Sequence, residues 1–286
     1  MKTLKLGDAG SEFKSFLKNK GHSNSTIVAY GKDIEQLVSF LNELQRNQVH
    51  DVTKEDIDAF LAKMSKDGYT PKSISRKINS TRTFYRFLKV NEYITDDPSL
   101  LVEHPKYQLA PPRILTPTEY RALRDAARSD LRMTAIIELL LQTGIRIGEL
   151  TELRLSDIQK DSLRVKSMEK HPERMVPLNK RAQESLNKYL EIRPKVEEDH
   201  VFITKSGKPF LIRNIRTSIE RYFRLAEIKN AKVNDLRHTF VAHHLKNGVS
   251  LVLLSRILGH KRVSTTERYL EYVPDRAAES QNLSEL

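Results

Sequence analysis

LGHKRVSTTERYLEY, residues 258–272, is the stretch on which the reading of this chain turns. Gly259 is a helix stop, because glycine enters the left-handed region that closes helices. His260 follows at once. Ser264-x-x-Glu267 then has the form of a capping box, so a new helix is predicted to open at Ser264. Tyr269, on its second turn, lies nine residues after His260, and Tyr272 follows three residues later. In a chain with no Trp and 7% aromatic residues, two tyrosines there either pack a terminal helix down or supply a phenol for chemistry.

Working outward, the chain places cations at other predicted helix ends. LLLQTGIRIGELTEL (139–153) puts Arg146 just after a Thr-Gly stop and at the mouth of the next helix. VNDLRHTFVAHHL (233–245) puts Arg237 and His238 at the start of another. Taken singly, an Arg beside a helix end pairs a carboxylate or caps a carbonyl, a His in Gly-His caps, and a Tyr packs. Taken together, Arg146, Arg237 and His260 can converge on one phosphate. Competing chemistries lack their signatures. There is no G-x-x-x-x-G-K-[ST], no G-x-G-x-x-G, and no His/Asp/Glu set at metal-ligand spacing; His243 and His244 are adjacent and would point to different faces. No cofactor and no metal is expected. With no Cys, disulfides and thiolate catalysis are excluded and an intracellular, cytoplasmic setting is expected.

The 286 residues carry 49 Lys and Arg against 37 Asp and Glu, a net charge of +12. That field favours a polyanion. No apolar run is long enough to span a membrane and no signal core opens the chain, so no membrane partner is expected. Residues 1–105 have a net charge of +2 and the remainder +10.

The first hundred residues read as four helices. Ser11 is expected to cap the first and Gly21 to stop it. Ile27, Val28, Ile34, Leu37, Val38, Leu41 and Leu44 give the second its apolar spacing. Thr53 opens the third, and Thr70 with Pro71 opens the fourth. The fourth carries Lys72, Arg76, Lys77, Arg82, Arg86 and Lys89, with no acid from Ser73 through Val90. It is expected to lie along a phosphate backbone with Ile74, Ile78, Phe84, Phe87 and Leu88 facing a core. EHPKYQLAPPRILTP (103–117), with four prolines, reads as a linker. Beyond it Thr116 and Glu119 form a capping box, and four short β-branched runs (LTELRLSDI, SLRVKSM, RMVPL, HVFIT) predict a small sheet among helices. The expected architecture is mainly α: a helical domain over 1–103, a linker over 104–115, and a mostly α domain with a small antiparallel sheet over 116–286.

TGIRIGELTELRLSDI, ERMVPL, DLRHTFVAHHLKNG and ILGHKRVSTTERY resemble, in order and spacing, the catalytic domain of the tyrosine recombinase (phage integrase) family, most closely its Xer-type members. Residues 8–105 resemble that family's SAM-like four-helix core-binding domain. The resemblance implies a DNA breaking-rejoining fold and a site-specific recombinase in which Tyr269 attacks the scissile phosphate to form a 3′-phosphotyrosine. Arg146 and Arg237 would clamp the non-bridging oxygens and His260 would donate to the same phosphate. Two transesterifications conserve bond energy, so neither ATP nor metal is needed. The cationic cluster should help the phenolate form. The family's general-acid lysine slot, counted back from ERMVPL, falls here on Glu169, a departure from the pattern; a hairpin one residue shorter makes Lys170 the acid, with Lys166 the alternative. The family's His-x-x-Arg here reads Asn234-Asp235-Leu236-Arg237, and an amide cannot take a proton near neutrality, so Asn234 is expected to position rather than titrate. Tyr272 is the alternative nucleophile. The tail resembles the family segment that docks on a neighbouring protomer. Implied partners are double-stranded DNA with a specific site, a homotetramer on two sites, and an accessory directing protein. The role implied is chromosome-dimer resolution; integration of a mobile element, a relaxing type IB topoisomerase, or a non-catalytic DNA binder on the same fold are the other readings.

Overall fold

A computed structural model describes residues 4–108, 110–168, 171–273 and 283–286. The chain divides into two compact units, Met1–Leu109 and Ala110–Leu286.

The first unit is built on four helices: α1 Leu6–Asn19, α2 Asn24–Glu43, α3 Lys54–Lys66 and α4 Pro71–Val90. Side-chain caps set the starts of three of them. Ser23 accepts from the Thr26 N–H, Thr53 forms a capping box with Asp56, and Thr70 accepts from the Ser73 N–H ahead of Pro71. The start of α1 differs from expectation. Ser11 lies inside the helix, which begins at Leu6 without a side-chain cap, because Leu6, Ala9, Phe13 and Leu17 form one buried stripe. Gly21 does stop it, at φ 70°. The core packs Phe13, Ile34, Leu37, Phe60, Phe84 and Leu88, with Phe13 and Phe84 edge to face at 5.3 Å. Val28 and Leu44 of the expected apolar stripe are exposed.

The second unit runs α5 Pro117–Ala127, α6 Leu131–Thr143, α7 Ile147–Glu152, β1 Ser162–Val165, β2 Arg174–Pro177, α8 Lys180–Ile192, α9 Ile212–Leu225, α10 Val233–Lys246, α11 Leu251–Leu258 and α12 Ser264–Glu267, then a 3-10 turn, Arg268–Tyr272. The Thr116–Glu119 box caps α5. The buried helix α6 packs against α8 and α10 at the centre. The sheet is smaller than the four runs suggested. β1 and β2 pair antiparallel in the register Leu163↔Val176 and Val165↔Arg174. LTELRLSDI completes α7 and a 3-10 turn, and HVFIT makes only single bridges, Arg154↔His200 and Ile203↔Pro209. Among the described residues no helix is long and apolar enough to cross a membrane.

Two glycines place the functional ends. Gly144 caps α6 at φ 62°, and a Cβ there would lie 2.5 Å from the Phe240 ring. Gly259 caps α11 at φ 64°, with the Arg174 guanidinium where a Cβ would go. Both positions require glycine on conformational and steric grounds.

Candidate active site

Arg146 is the N-cap of α7. Its backbone N–H donates to Glu149 Oε2 at 2.8 Å, and its guanidinium donates to Glu149 Oε1 at 3.0 Å and to the Leu258 carbonyl at 3.1 Å. Arg237, on the second turn of α10, is buried. It donates to the same Leu258 carbonyl at 2.9 Å, to the Gly144 carbonyl, and to His260 Nε2 at 2.9 Å. The last carbonyls of α6 and α11 are unpaired within their helices and carry the negative end of the dipole. They collect the two guanidiniums at one point. Five donors per guanidinium leave Arg146 with N–H groups to spare. A cavity of about 340 Å³ is lined by Arg146, Asn234 and Arg237, with Arg216, Lys232 and Glu220.

Glu149 sets this cluster. Its carboxylate is buried and takes both N–H groups of the Arg174 fork, at 2.9 and 2.8 Å, besides those of Arg146. Burial pushes its pKa up, but the hydrogen bonds from Arg174 and Arg146 and their charges outweigh this and hold it down at about 2. Arg174 also donates to the Ile257 carbonyl at 2.6 Å. Neither Glu149 nor Arg174 was expected from the sequence. The signal for Glu149 is its place three residues after Arg146, at the N3 position of a cap. The signal for Arg174 is a charge in the short strand RMVP.

His260 follows the Gly259 cap. Nε2 faces a guanidinium, which only donates, so Nε2 accepts and the ring proton sits on Nδ1, donated to Thr266 Oγ1 at 2.8 Å. Burial, then Arg237, Arg146 and Arg174, lower its pKa to about 3, so the ring is neutral. His260 thereby orients Arg237; donation to a phosphate through Nε2 requires its proton to change nitrogens.

Tyr269 lies in the 3-10 turn, half-buried, with its hydroxyl 2.6 Å from His238 Nδ1. Asn234 Nδ2 lies 2.7 Å from the other nitrogen of that ring, Nε2. Burial raises the Tyr269 pKa and Arg237 only partly opposes it, so the expected help to the phenolate is outweighed in the free protein. Tyr272 stands apart, partly exposed, at the wall of an apolar cavity of about 310 Å³ with Ile114, Leu115 and Pro117. The expected Ser264 cap is absent. Val263 is the N-cap, already in helical conformation, and no side chain closes the turn.

Lys166 is drawn to Asp157, 3.3 Å away, where Arg164 also binds, so the structure does not bring it to Tyr269. Lys170 lies outside the described residues. Met168 and His171 bridge across the hairpin, and Met168 packs on Gly148 at the start of α7. On α4, Lys77 contradicts the reading of a free basic face. It is 1% exposed, pairs with Asp33 at 3.1 Å and Gln36, and lies over the Tyr69 ring. Arg82 is turned to the Ser99 and Val102 carbonyls, and Arg76 pairs with Asp33. Lys72, Arg86 and Lys89 remain as exposed cations.

Residues 113–275 match the phage integrase family and residues 11–92 match the phage integrase N-terminal SAM-like domain. The chain belongs to the phage integrase family, the class of tyrosine site-specific recombinases. Within it the chain is 32% identical to tyrosine recombinase XerD of Halalkalibacterium halodurans, over 90% of this chain and 91% of that protein. It is 31% identical to tyrosine recombinase XerC of Staphylococcus carnosus, over 86% of each. Among solved structures, XerA recombinase matches at a TM-score of 0.54 and 27% identity, covering 98% of this chain and 94% of that one. A lambda integrase dimer bound to a COC′ core site shares the fold at a TM-score of 0.76 and 20% identity, covering 92% and 97%.

Proposed function

We propose that this recombinase cuts and rejoins double-stranded DNA at a specific site through a 3′-phosphotyrosine on Tyr269. Tyr269 Oη bonds to phosphorus as the P–O5′ bond breaks, and the departing 5′-oxygen takes a proton from a lysine of the β1–β2 hairpin, Lys170 or Lys166. A second strand's 5′-hydroxyl then attacks phosphorus and frees Tyr269. Arg146 and Arg237 hold the non-bridging oxygens, where charge builds in the transition state. The observation that carries this is the meeting of Arg146 and Arg237 on the Leu258 carbonyl, with His260 bonded to Arg237. The α4 cations Lys72 and Arg86 supply phosphate contacts from the 1–103 domain; the linker is 104–115 and the catalytic domain 116–286. Assembly is as a homotetramer on two sites, and the cellular role is resolution of chromosome dimers with a directing protein; residues 274–282 of the tail lie outside the described residues, and Leu286 is bonded to Arg124 and Gln142 of its own chain. A lambda integrase tetramer bound to a Holliday junction has a similar fold and supports the assembly, and the likeness to XerC and XerD tyrosine recombinases over most of the chain supports site-specific recombination.

The test uses a pool of randomised duplexes nicked beside the cleavage position, with covalent protein–DNA adducts recovered on denaturing gels. Wild type forms an adduct and Tyr269→Phe does not. An adduct that survives in Tyr269→Phe and is lost in Tyr272→Phe moves the nucleophile. Tight, salt-sensitive binding with no adduct refutes the catalytic reading.

A further inference from the structure

A phenol that attacks phosphorus must lose its proton, and the residue that takes it has to touch the phenol oxygen. Asn234 cannot take one. His260 does not touch Tyr269; its two nitrogens are engaged by Arg237 and Thr266. The ring that does touch the oxygen is His238, with Nδ1 2.6 Å from Tyr269 Oη and the two ring planes tilted at 41°. We infer that His238 is the base that accepts the Tyr269 proton and that Asn234 is the positioning residue that fixes its ring. The inference rests on Tyr269 being the nucleophile.

The arrangement follows from the helix. Residues 234 and 238 are one turn apart on α10, so the amide lies over the imidazole. The 2.7 Å between Asn234 and His238 is short for N–H···N and ordinary for N–H···O. The two ends of an amide have the same shape, so the contact is best satisfied with Oδ1 toward the ring, accepting from Nε2–H. That leaves Nδ1 with its lone pair facing the Tyr269 hydroxyl. Nucleophile, base and orienting group then stand in the order used by other activated hydroxyls. Burial lowers the His238 pKa, Asp235 opposes this and Arg237 adds to it, so the ring is neutral and able to accept at neutral pH.

The step balances. As the Oη–P bond forms, the Tyr269 proton moves to His238 Nδ1, and the imidazolium keeps its Nε2–H on Asn234. The P–O5′ bond breaks, and the leaving oxygen is protonated by the hairpin lysine. On rejoining, the incoming 5′-hydroxyl gives its proton to that lysine, and His238 returns the other proton to Oη as Oη–P breaks.

The experiment measures single-turnover adduct formation on the nicked duplexes recovered with wild type, from pH 5.5 to 9.5, alongside retention of the same duplexes in native gels. His238→Asn keeps a polar group near Nδ1 but cannot take a proton. The expected result is unchanged retention, a rate lower by roughly 10²- to 10⁴-fold, and a rate that climbs about tenfold per pH unit above pH 7, where wild type is level. Asn234→Asp should move the acid limb of the wild-type profile to higher pH, because a carboxylate favours the imidazolium. A structural role for either residue would change the amount of competent protein without changing these profiles. His238→Gln serves if His238→Asn fails to retain DNA. The inference is overturned if both His238 variants that retain DNA keep the wild-type rate and level profile while Tyr269→Phe is dead. It is equally overturned if Asn234→Asp leaves the acid limb in place. A wild type that forms no Tyr269 adduct overturns the nucleophile reading, and this inference with it.

Discussion

Replacing Glu149 by Gln removes one charge from the centre of the site while keeping its shape. The carboxylate is 3% exposed and is shared by Arg146 and Arg174. Its pKa falls from 4.5 to about 2. At about 1.36 kcal/mol per pH unit, that difference makes the charged form worth on the order of 3 kcal/mol of stability at pH 7. A second route gives the same size, since removing one partner of a buried ion pair costs about 3–5 kcal/mol by stranding the other. Arg174 is the partner stranded here, its side chain being 5% exposed. The sign follows from the lowered pKa. The contribution is complete above the unfolded value near 4.5 and is lost as pH falls towards about 2. At pH 3 it has shrunk to roughly 1.4 kcal/mol. The amides of α6, in the core of the same unit, report its unfolding by hydrogen exchange in urea. Glu149→Gln should lower their opening free energy by about 3 kcal/mol at pH 7, and the gap to wild type should close by about half or more at pH 3. A loss under about 1 kcal/mol at pH 7, or a loss that is the same at both pH values, refutes the assignment of Glu149 as the charge on which the two arginines are set.

Three further outcomes are expected. Arg237→Lys keeps the charge but loses the fork that joins Gly144, Leu258 and His260, and adduct formation should fall by roughly 10²- to 10³-fold with DNA retention kept. Lys72→Glu with Arg86→Glu should reduce the slope of log binding constant against log salt by about 0.9 for each phosphate no longer neutralised, whereas Lys77→Met should leave that slope unchanged and lower stability by removing one of the two cations that pair with buried Asp33. Gly144→Ala should destabilise the second unit by more than about 1 kcal/mol in urea unfolding, since φ is 62° and the new methyl meets Phe240.

Local chemistry was legible in the sequence wherever one short segment decides the outcome. Thr53, Thr70 and Thr116 cap helices because each carries its partner within three residues. Ser11 and Ser264 had the same local form and failed. In one case a buried stripe extends the helix back to Leu6; in the other Val263 is already helical before the serine is reached. Long-range partners were not legible. Lys77 looks like any other cation on a basic helix until α2 brings Asp33, 44 residues away, against it. HVFIT has strand composition, but its backbone makes only isolated hydrogen bonds, such as Val201 N–H to the Leu153 carbonyl and Phe210 N–H to the Phe202 carbonyl. His238 was hidden by its neighbour. Read along the chain it is the residue after Arg237; read on the helix it is one turn from Asn234 and faces Tyr269.

The site's cations are held by groups that carry no net positive charge, and this explains how several of them sit together. Arg146 and Arg237 would repel each other, and burial of Arg237 already disfavours its charge. Against this the fold sets one full negative charge, Glu149, and the partial negative ends of α6 and α11. His260 contributes no charge, because burial and then the same cations keep it neutral. On the proposed reading, an arriving phosphate oxygen meets donors already oriented by carbonyls and by Glu149, and little of its binding energy is consumed in gathering them. The same balance accounts for Tyr269. In the free protein burial outweighs Arg237 and keeps the phenol protonated. With His238 already 2.6 Å from its hydroxyl, Tyr269 on the proposed reading stays inactive until a phosphate arrives.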